Sequence, residues 1–103
     1  LILVSGVIGR GSDGHVPADP LDEYRAAFAQ LAVVLAAAGA TCAHVVELTT
    51  YHTDLPVTIG TFVRAKDEVI GEPYPAWTAI GVSGLLVPGA RVEVRATAYC
   101  PVR

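Results

Sequence analysis

Residues 91–99 alternate strictly between apolar and polar side chains. Val92, Val94, Ala96 and Ala98 fall on one side, and Glu93, Arg95, Thr97 and Tyr99 fall on the other. Successive side chains of a β-strand point to opposite faces, so this period of two predicts a strand with one buried face. The second face is too polar for a dry core and too aromatic for simple exposure to water. The fold must therefore provide an apolar layer for one face and some other cover for the second.

Two helical patterns can provide the apolar layer. The first begins at Asp19-Pro20, where Asp19 suits the N-cap and Pro20 the first turn, and it ends at Gly39. Its apolar stripe consists of Tyr24, Phe28, Leu31, Leu35 and Ala38. A second helix is predicted over residues 57–70. Its predicted buried residues are Ile59, Phe62, Val63, Val69 and Ile70.

Strand patterns at 1–7, 44–53, 77–82 and 91–99 complete the order β-α-β-α-β-β. This order predicts a single α+β domain over residues 1–103, with a mixed sheet and both helices packed on one face. A chain of 103 residues can build one compact core and not comfortably two. The sequence lacks Met and opens inside an apolar run, which predicts that a first strand is missing from the N-terminus.

The composition argues against several classes of function. A hydrophobic content of 52% with 17% charged residues is typical of a folded domain. The net charge of −3 and the lack of a Lys/Arg stripe argue against a nucleic-acid partner. No apolar run is long enough for a membrane span. Cys42 and Cys100 lack metal-ligand spacing, so we expect no metal site and two reduced thiols in a cytoplasmic protein.

Several stretches cover nearly the whole chain in a characteristic order. They are "LILVSG", "AAFAQLAVVLAAAGA", "VVELTTYHTDL", "PAWTAIGV" and "VPGARVEVRATA". In this order and spacing the chain resembles the Rid family, also called the YjgF or endoribonuclease L-PSP family. The resemblance implies a chorismate-mutase-like fold and a homotrimer with ligand clefts between subunits. Such a trimer would also cover the half-polar face of the sheet.

The resemblance further implies an activity that needs no cofactor. Well-known members hydrolyse reactive imines and enamines derived from amino acids, releasing ammonia and a 2-keto acid. Their motif places an Arg after Pro-Ala, and its planar guanidinium grips the substrate carboxylate. Here Pro75-Ala76 is followed by Trp77, whose indole carries a single N–H donor and no full charge. The pocket's charge is therefore lost, as in a neighbouring branch of the family with "YP-x-WTA".

The family's pocket positions can be placed on this sequence one by one. Glu93 matches the acidic residue thought to position the attacking water, and it is the candidate catalytic residue. Gly6 matches the glycine whose backbone borders the substrate, and Thr78 matches the hydroxyl residue after the Arg. Ala79 and Val63 stand where deaminase members carry Cys and Asn. The predicted binding residues are Gly6, Trp77, Thr78 and Ala79.

Two of these residues also have a purely structural interpretation. Trp77 either stacks on a ligand or packs at a subunit boundary. Glu93 either positions water or pairs with Arg95, two residues along on the same face. Three functions follow: a hydrolase of imine-like metabolites with altered specificity, a non-catalytic metabolite-binding or regulatory trimer, or a ribonuclease, which the acidic net charge disfavours.

Overall fold

The computed structural model describes residues 1–101, which form a four-stranded sheet with two helices on one face. The elements are β1 (Ile2–Val7), α1 (Pro20–Ala37), β2 (Val45–His52), α2 (Leu55–Asp67), β3 (Ala76–Gly81) and β4 (Val92–Ala98). A single 3₁₀ turn, Cys42–His44, leads into β2. The predicted order and the α+β class are confirmed.

The sheet has the strand order β1-β4-β2-β3. Strand β4 is antiparallel to both of its neighbours, β1 and β2. Strands β2 and β3 are parallel, with Leu48 opposite Trp77 and Thr50 opposite Ala79. A parallel pair requires a crossover, and α2 provides it on the same face as α1. Strands β1 and β3 are left as the two edges of the sheet.

The helices cover the apolar face that the alternation predicted. On β4 the buried residues are Val92, Val94, Ala96 and Ala98. On α1 they include Tyr24, Phe28, Leu31 and Leu35. Ala38 is exposed, contrary to the prediction, because α1 ends at Ala37. Burial of this apolar surface, at about 25 cal/mol per Å², holds the helices on the sheet.

The second helix begins earlier than predicted. Its first residue is Leu55 rather than Val57, because Pro56 fits the first turn, where its missing N–H has no helical acceptor to lose. Of the predicted core residues, Phe62 and Ile70 are buried and Ile59 and Val63 are half-buried. Val69 is 45% exposed, since it lies beyond the helix end at Asp67 and no longer follows the helical period.

A buried ion pair attaches α1 to the start of β4. The Glu23 carboxylate, which is fully buried, accepts hydrogen bonds from the Arg91 backbone N–H at 2.6 Å and from its Nη1 at 2.7 Å. The same guanidinium donates to the carbonyls of Pro17 and Ala18. A carboxylate is stable in the interior only when such donors satisfy it. The loop before α1 is thereby fixed against β4.

The described residues contain neither a membrane-spanning helix nor a cluster of metal ligands. Over residues 1–101, no helix has the length and apolar character needed to cross a membrane. The same range contains no group of three potential His, Cys, Asp or Glu metal ligands. Cys42 and Cys100 are free thiols, and burial raises the pKa of Cys42.

Candidate functional site

The predicted site residues lie on two separate parts of the sheet. Gly6 and Glu93 meet where β1 pairs with β4, on the face away from the helices. Trp77 and Ala79 on β3 point towards the helices, whereas Thr78 between them points to the open face. Strand β2 separates β3 from β4, so the two groups do not meet within one described chain.

Gly6 and Glu93 are in direct contact. The register of β1 shifts between Val4 and Val7, and this irregularity brings the Gly6 backbone against the Glu93 side chain. A Cβ at position 6 would displace the carboxylate of Glu93, so glycine at this position allows the Glu93 side chain to lie where it does. The contact places an acidic group beside exposed backbone at the edge of the sheet.

Glu93 is half-buried and, among residues 1–101, takes part in no ion pair. The predicted pair with Arg95 is wrong. The register sets Glu93 opposite Tyr51 and Arg95 opposite Thr49, and an exposed ion pair gains too little to hold two side chains together. The Glu93 oxygens are therefore open to water or to a ligand.

A cavity of about 310 Å³ opens at the β1 edge of the sheet. Its lining consists of Gly6, Val7, Ile8 and Arg10, with Gln30 from α1. The volume lies at the small end of the range for ligand pockets, about 300–1,000 Å³. Gly6 belongs both to the lining and to the Glu93 contact, so it connects the cavity with that carboxylate, although Glu93 is not itself a lining residue.

Trp77 packs inside its own chain. Its indole N–H donates to the Thr50 hydroxyl at 3.0 Å, and its ring lies tilted against Phe62 with 5.9 Å between centroids. The indole has a single donor, so the bond to Thr50 leaves none for a ligand. A ligand could contact only the partly exposed remainder of the ring.

Lys66, the chain's only lysine, lies beside Trp77. This position was not predicted from the sequence. The Lys66 side chain is 10% exposed, and its ammonium is 4.8 Å from the Trp77 ring centroid and 5.9 Å from that of Tyr74. Its Nζ donates to the Asp67 carboxylate at 3.1 Å. A positive charge is thus present next to Trp77, the residue that the resemblance matched to the family's Arg. The signal was the four-residue spacing from Phe62, which puts Lys66 on the core side of α2.

A buried polar chain continues from Trp77 through Thr50 to His52. The Thr50 hydroxyl lies 2.7 Å from His52 Nε2, and the imidazole packs edge-on against Phe62 at 4.7 Å. Burial lowers the pKa of His52 and favours its neutral form. Within the described part of the chain, His52 Nδ1 has no hydrogen-bond partner. The period of two that puts Leu48 and Thr50 in the core also puts His52 there.

The fold and the cavity define a small α+β domain with an unpaired carboxylate on β4, next to the edge strand β1, and a cavity at that edge. Residues 1–100 match the family described as Endoribonuclease L-PSP. The chain therefore belongs to the Rid/YjgF/L-PSP family, as the sequence resemblance predicted.

One curated relative and two solved structures show how far the similarity extends. RutC family protein YjgH of Escherichia coli (strain K12) is 36% identical over 102 residues, covering 98% of this chain and 76% of the relative. The solved structure of Protein YJGH has a TM-score of 0.88 at 35% identity, over 98% of this chain and 77% of that one. The structure of Rv2704 of Mycobacterium tuberculosis, a member of the YjgF/YER057c/UK114 family, has a TM-score of 0.83 at 30% identity. The match covers 95% of this chain and 77% of Rv2704.

Proposed function

We propose that this protein is a homotrimer that hydrolyses small imine or enamine metabolites, with a specificity altered by Trp77. The observation that supports the proposal best is the unpaired Glu93 carboxylate, which contacts Gly6, a residue of the cavity lining. A carboxylate in this position can accept a proton from water and direct the water oxygen to the imine carbon. The C–O bond forms as the C=N electrons move to nitrogen, which takes the proton from Glu93 and gives the carbinolamine. Transfer of the hydroxyl proton to nitrogen, with cleavage of the C–N bond, then releases ammonia and leaves a carbonyl product.

Trp77 sets the expected specificity. An aromatic ring replaces the guanidinium of the family motif, and the nearby Lys66 ammonium is already engaged with that ring and with Asp67. The part of the substrate that reaches Trp77 is therefore uncharged or aromatic. This separates the protein from deaminases that grip a small 2-imino acid at this position.

The trimer is part of the proposal, because within one chain the Gly6–Glu93 contact and the β3 residues near Trp77 lie on separate parts of the sheet. The sheet face away from the helices exposes Leu3 (72%), Ile80 (39%) and Tyr99 (55%). An exposed face of this kind, flanked by two open edges, is typical of a symmetric interface. A neighbouring copy could then bring its β3 edge, with Trp77, towards the cavity beside Gly6. Light scattering should give three times the monomer mass of 10.7 kDa, and a monomer would contradict the proposal.

Ammonia release from freshly generated imino acids tests the chemistry. We expect release by the native protein, and a loss of about 100-fold or more in Glu93→Gln with ligand binding retained. Glu72→Gln, which removes an exposed carboxylate outside the cavity lining, is the matched control and should keep full activity. Trp77→Arg should gain activity towards small 2-imino acids. If neither the native protein nor Trp77→Arg releases ammonia, the proposed hydrolase activity is contradicted.

A non-catalytic metabolite-binding or regulatory trimer is the second candidate. It is favoured by the Trp77 indole, whose N–H is used by Thr50 and not left for a ligand. This alternative requires binding without turnover, so Glu93→Gln would have no ammonia release to lose. Ribonuclease action, which the family description names, is supported least because the chain carries a net charge of −3. RNA cleavage that co-purifies through every step would be needed to support it.

A further inference from the structure

Arg10 is the one charged residue in the lining of the cavity beside β1. Of the other cations in the described chain, Arg25, Arg91 and Lys66 have acidic partners, whereas Arg64 and Arg95 form no ion pair and lie outside the cavity lining. Within residues 1–101, Arg10 forms no such ion pair. A guanidinium that lines a cavity without a partner is available to an anion from solution.

The backbone on both sides of Arg10 is held in place. Gly9 is buried so close to α1 that a Cβ there would collide with the carbonyl of Glu23 and crowd the backbone nitrogen of Ala27. On the other side, the Gly11 N–H donates to the His15 carbonyl at 2.8 Å and closes a turn. Arg10 therefore projects from a backbone fixed before a ligand arrives, which reduces the entropy lost on binding.

The surface of α1 under this segment provides a second polar group. Gln30 lies three residues after Ala27, on the same side of the helix, and it also lines the cavity. Its amide can donate to a ligand oxygen, while the Arg10 guanidinium can donate two parallel charge-assisted bonds to a carboxylate. The pair gives one end of the cavity the donors that a carboxylate requires.

We propose that Arg10, assisted by Gln30, binds the carboxylate of a 2-imino or 2-keto acid in this cavity. The reacting end of the ligand then lies towards Gly6 and Glu93, because a ligand carboxylate placed beside Glu93 would be repelled. The orientation of the reacting end depends on the proposed function, whereas recognition of the carboxylate does not. The chain would thus have a carboxylate site between the loop after β1 and helix α1, in place of the Arg missing from β3.

Binding of 2-oxobutyrate, compared with butanone, tests the proposal. The two probes differ by the carboxylate, and binding can be followed by the NMR signals of the native protein and two variants. Arg10→Gln should weaken 2-oxobutyrate binding about 10- to 100-fold, the effect of losing a charge-assisted contact. Arg64→Gln is the matched control, since it removes an equal charge from the exposed surface of α2, and it should bind as the native protein does. Butanone should bind weakly and equally to all three.

Three outcomes would overturn the proposal: equal 2-oxobutyrate affinity in Arg10→Gln and the native protein, an equal loss in Arg64→Gln, or no binding by the native protein at millimolar concentration. Thermal unfolding of each variant establishes that it is folded before binding is compared. Arg10-dependent binding without ammonia release from any imine would support the carboxylate site and contradict the hydrolase. The two proposals can therefore fail separately.

Discussion

The Trp77 indole N–H donates to the hydroxyl of Thr50, with 3.0 Å between nitrogen and oxygen. That hydroxyl also lies 2.7 Å from His52 Nε2. One threonine thus links the indole of an edge strand to a buried imidazole on the neighbouring strand. Strand β3 is attached to β2 by side chains as well as by its backbone ladder, so this corner of the sheet depends on each of the three residues.

Trp77→Phe should lower the free energy of unfolding by about 1–2 kcal/mol, because the ring stays while its hydrogen bond and part of its area are lost. Urea denaturation measures the change. Tyr74→Phe is the control, since Tyr74 is 64% exposed and its hydroxyl has no hydrogen bond to residues 1–101. Equal midpoints for the two variants would show that the bond to Thr50 contributes nothing.

The free energy of unfolding should fall as the pH drops below about 6.5, the ordinary pKa of histidine. Burial lowers the pKa of His52 in the folded state, so the unfolded chain takes up the proton first. The free energy of unfolding continues to fall until the pH reaches the pKa of His52 in the folded state. Above about pH 6.5 His52 is neutral in both states, and its contribution to stability is constant. His52→Gln should flatten this part of the pH profile, whereas His15→Gln, at an exposed position, should keep it. Parallel profiles for the native protein and His52→Gln would contradict the prediction.

Glu23→Gln should cost about 3 kcal/mol of stability, near the lower end for breaking a buried pair, since the Arg91 side chain is 29% exposed. The matched change is Glu68→Gln, which breaks the Arg25–Glu68 pair. Both of its side chains are more than two-fifths exposed, at 45% and 42%, so its effect should be much smaller. Chemical denaturation measures the free energy of unfolding of both variants. Equal losses would show that burial of the Glu23 pair contributes no additional stability.

Gly6→Ala should displace the Glu93 side chain and reduce ammonia release, because the new Cβ would occupy the position of the carboxylate. Adding Glu93→Ala removes the clash, so a double-mutant cycle on the free energy of unfolding should show coupling between the two positions, while ammonia release stays low. Gly60→Ala in α2 is the control. A Cβ there meets no neighbour within 4 Å, and it should stabilise the helix by about 0.5–1 kcal/mol. Full activity in Gly6→Ala would contradict the role given to Glu93.

Local patterns were enough to predict the strands and helices. The alternation along β4 and the apolar stripe of α1 describe single elements, and each depends only on the period of its own backbone. Glu93 and Gly6 could be placed in the site by resemblance, but their contact depends on the pairing of β1 with β4. The order of strands in the sheet is a non-local property that no single stretch carries.

Burial of charged residues was the main feature that the sequence did not predict. Lysine and glutamate are usually exposed, so Lys66 beside Trp77 and Glu23 beneath Arg91 run against the ordinary preference. Arg91 lies 68 positions from Glu23, and no spacing rule connects them. The four-residue spacing between Phe62 and Lys66 was a weak indication that Lys66 faces the core. A helical stripe defined by apolar residues alone does not include a lysine.

The central position of β4 constrains how the chain can fold during synthesis. Strands β1 and β2 both pair with β4, so β1 has no described partner until Val92–Ala98 has left the ribosome. Helices α1 and α2 can form earlier, because their contacts are local. A nascent chain that stalls before Val92 would carry β1 as an unpaired apolar strand, which is the kind of segment that aggregates or is bound by chaperones.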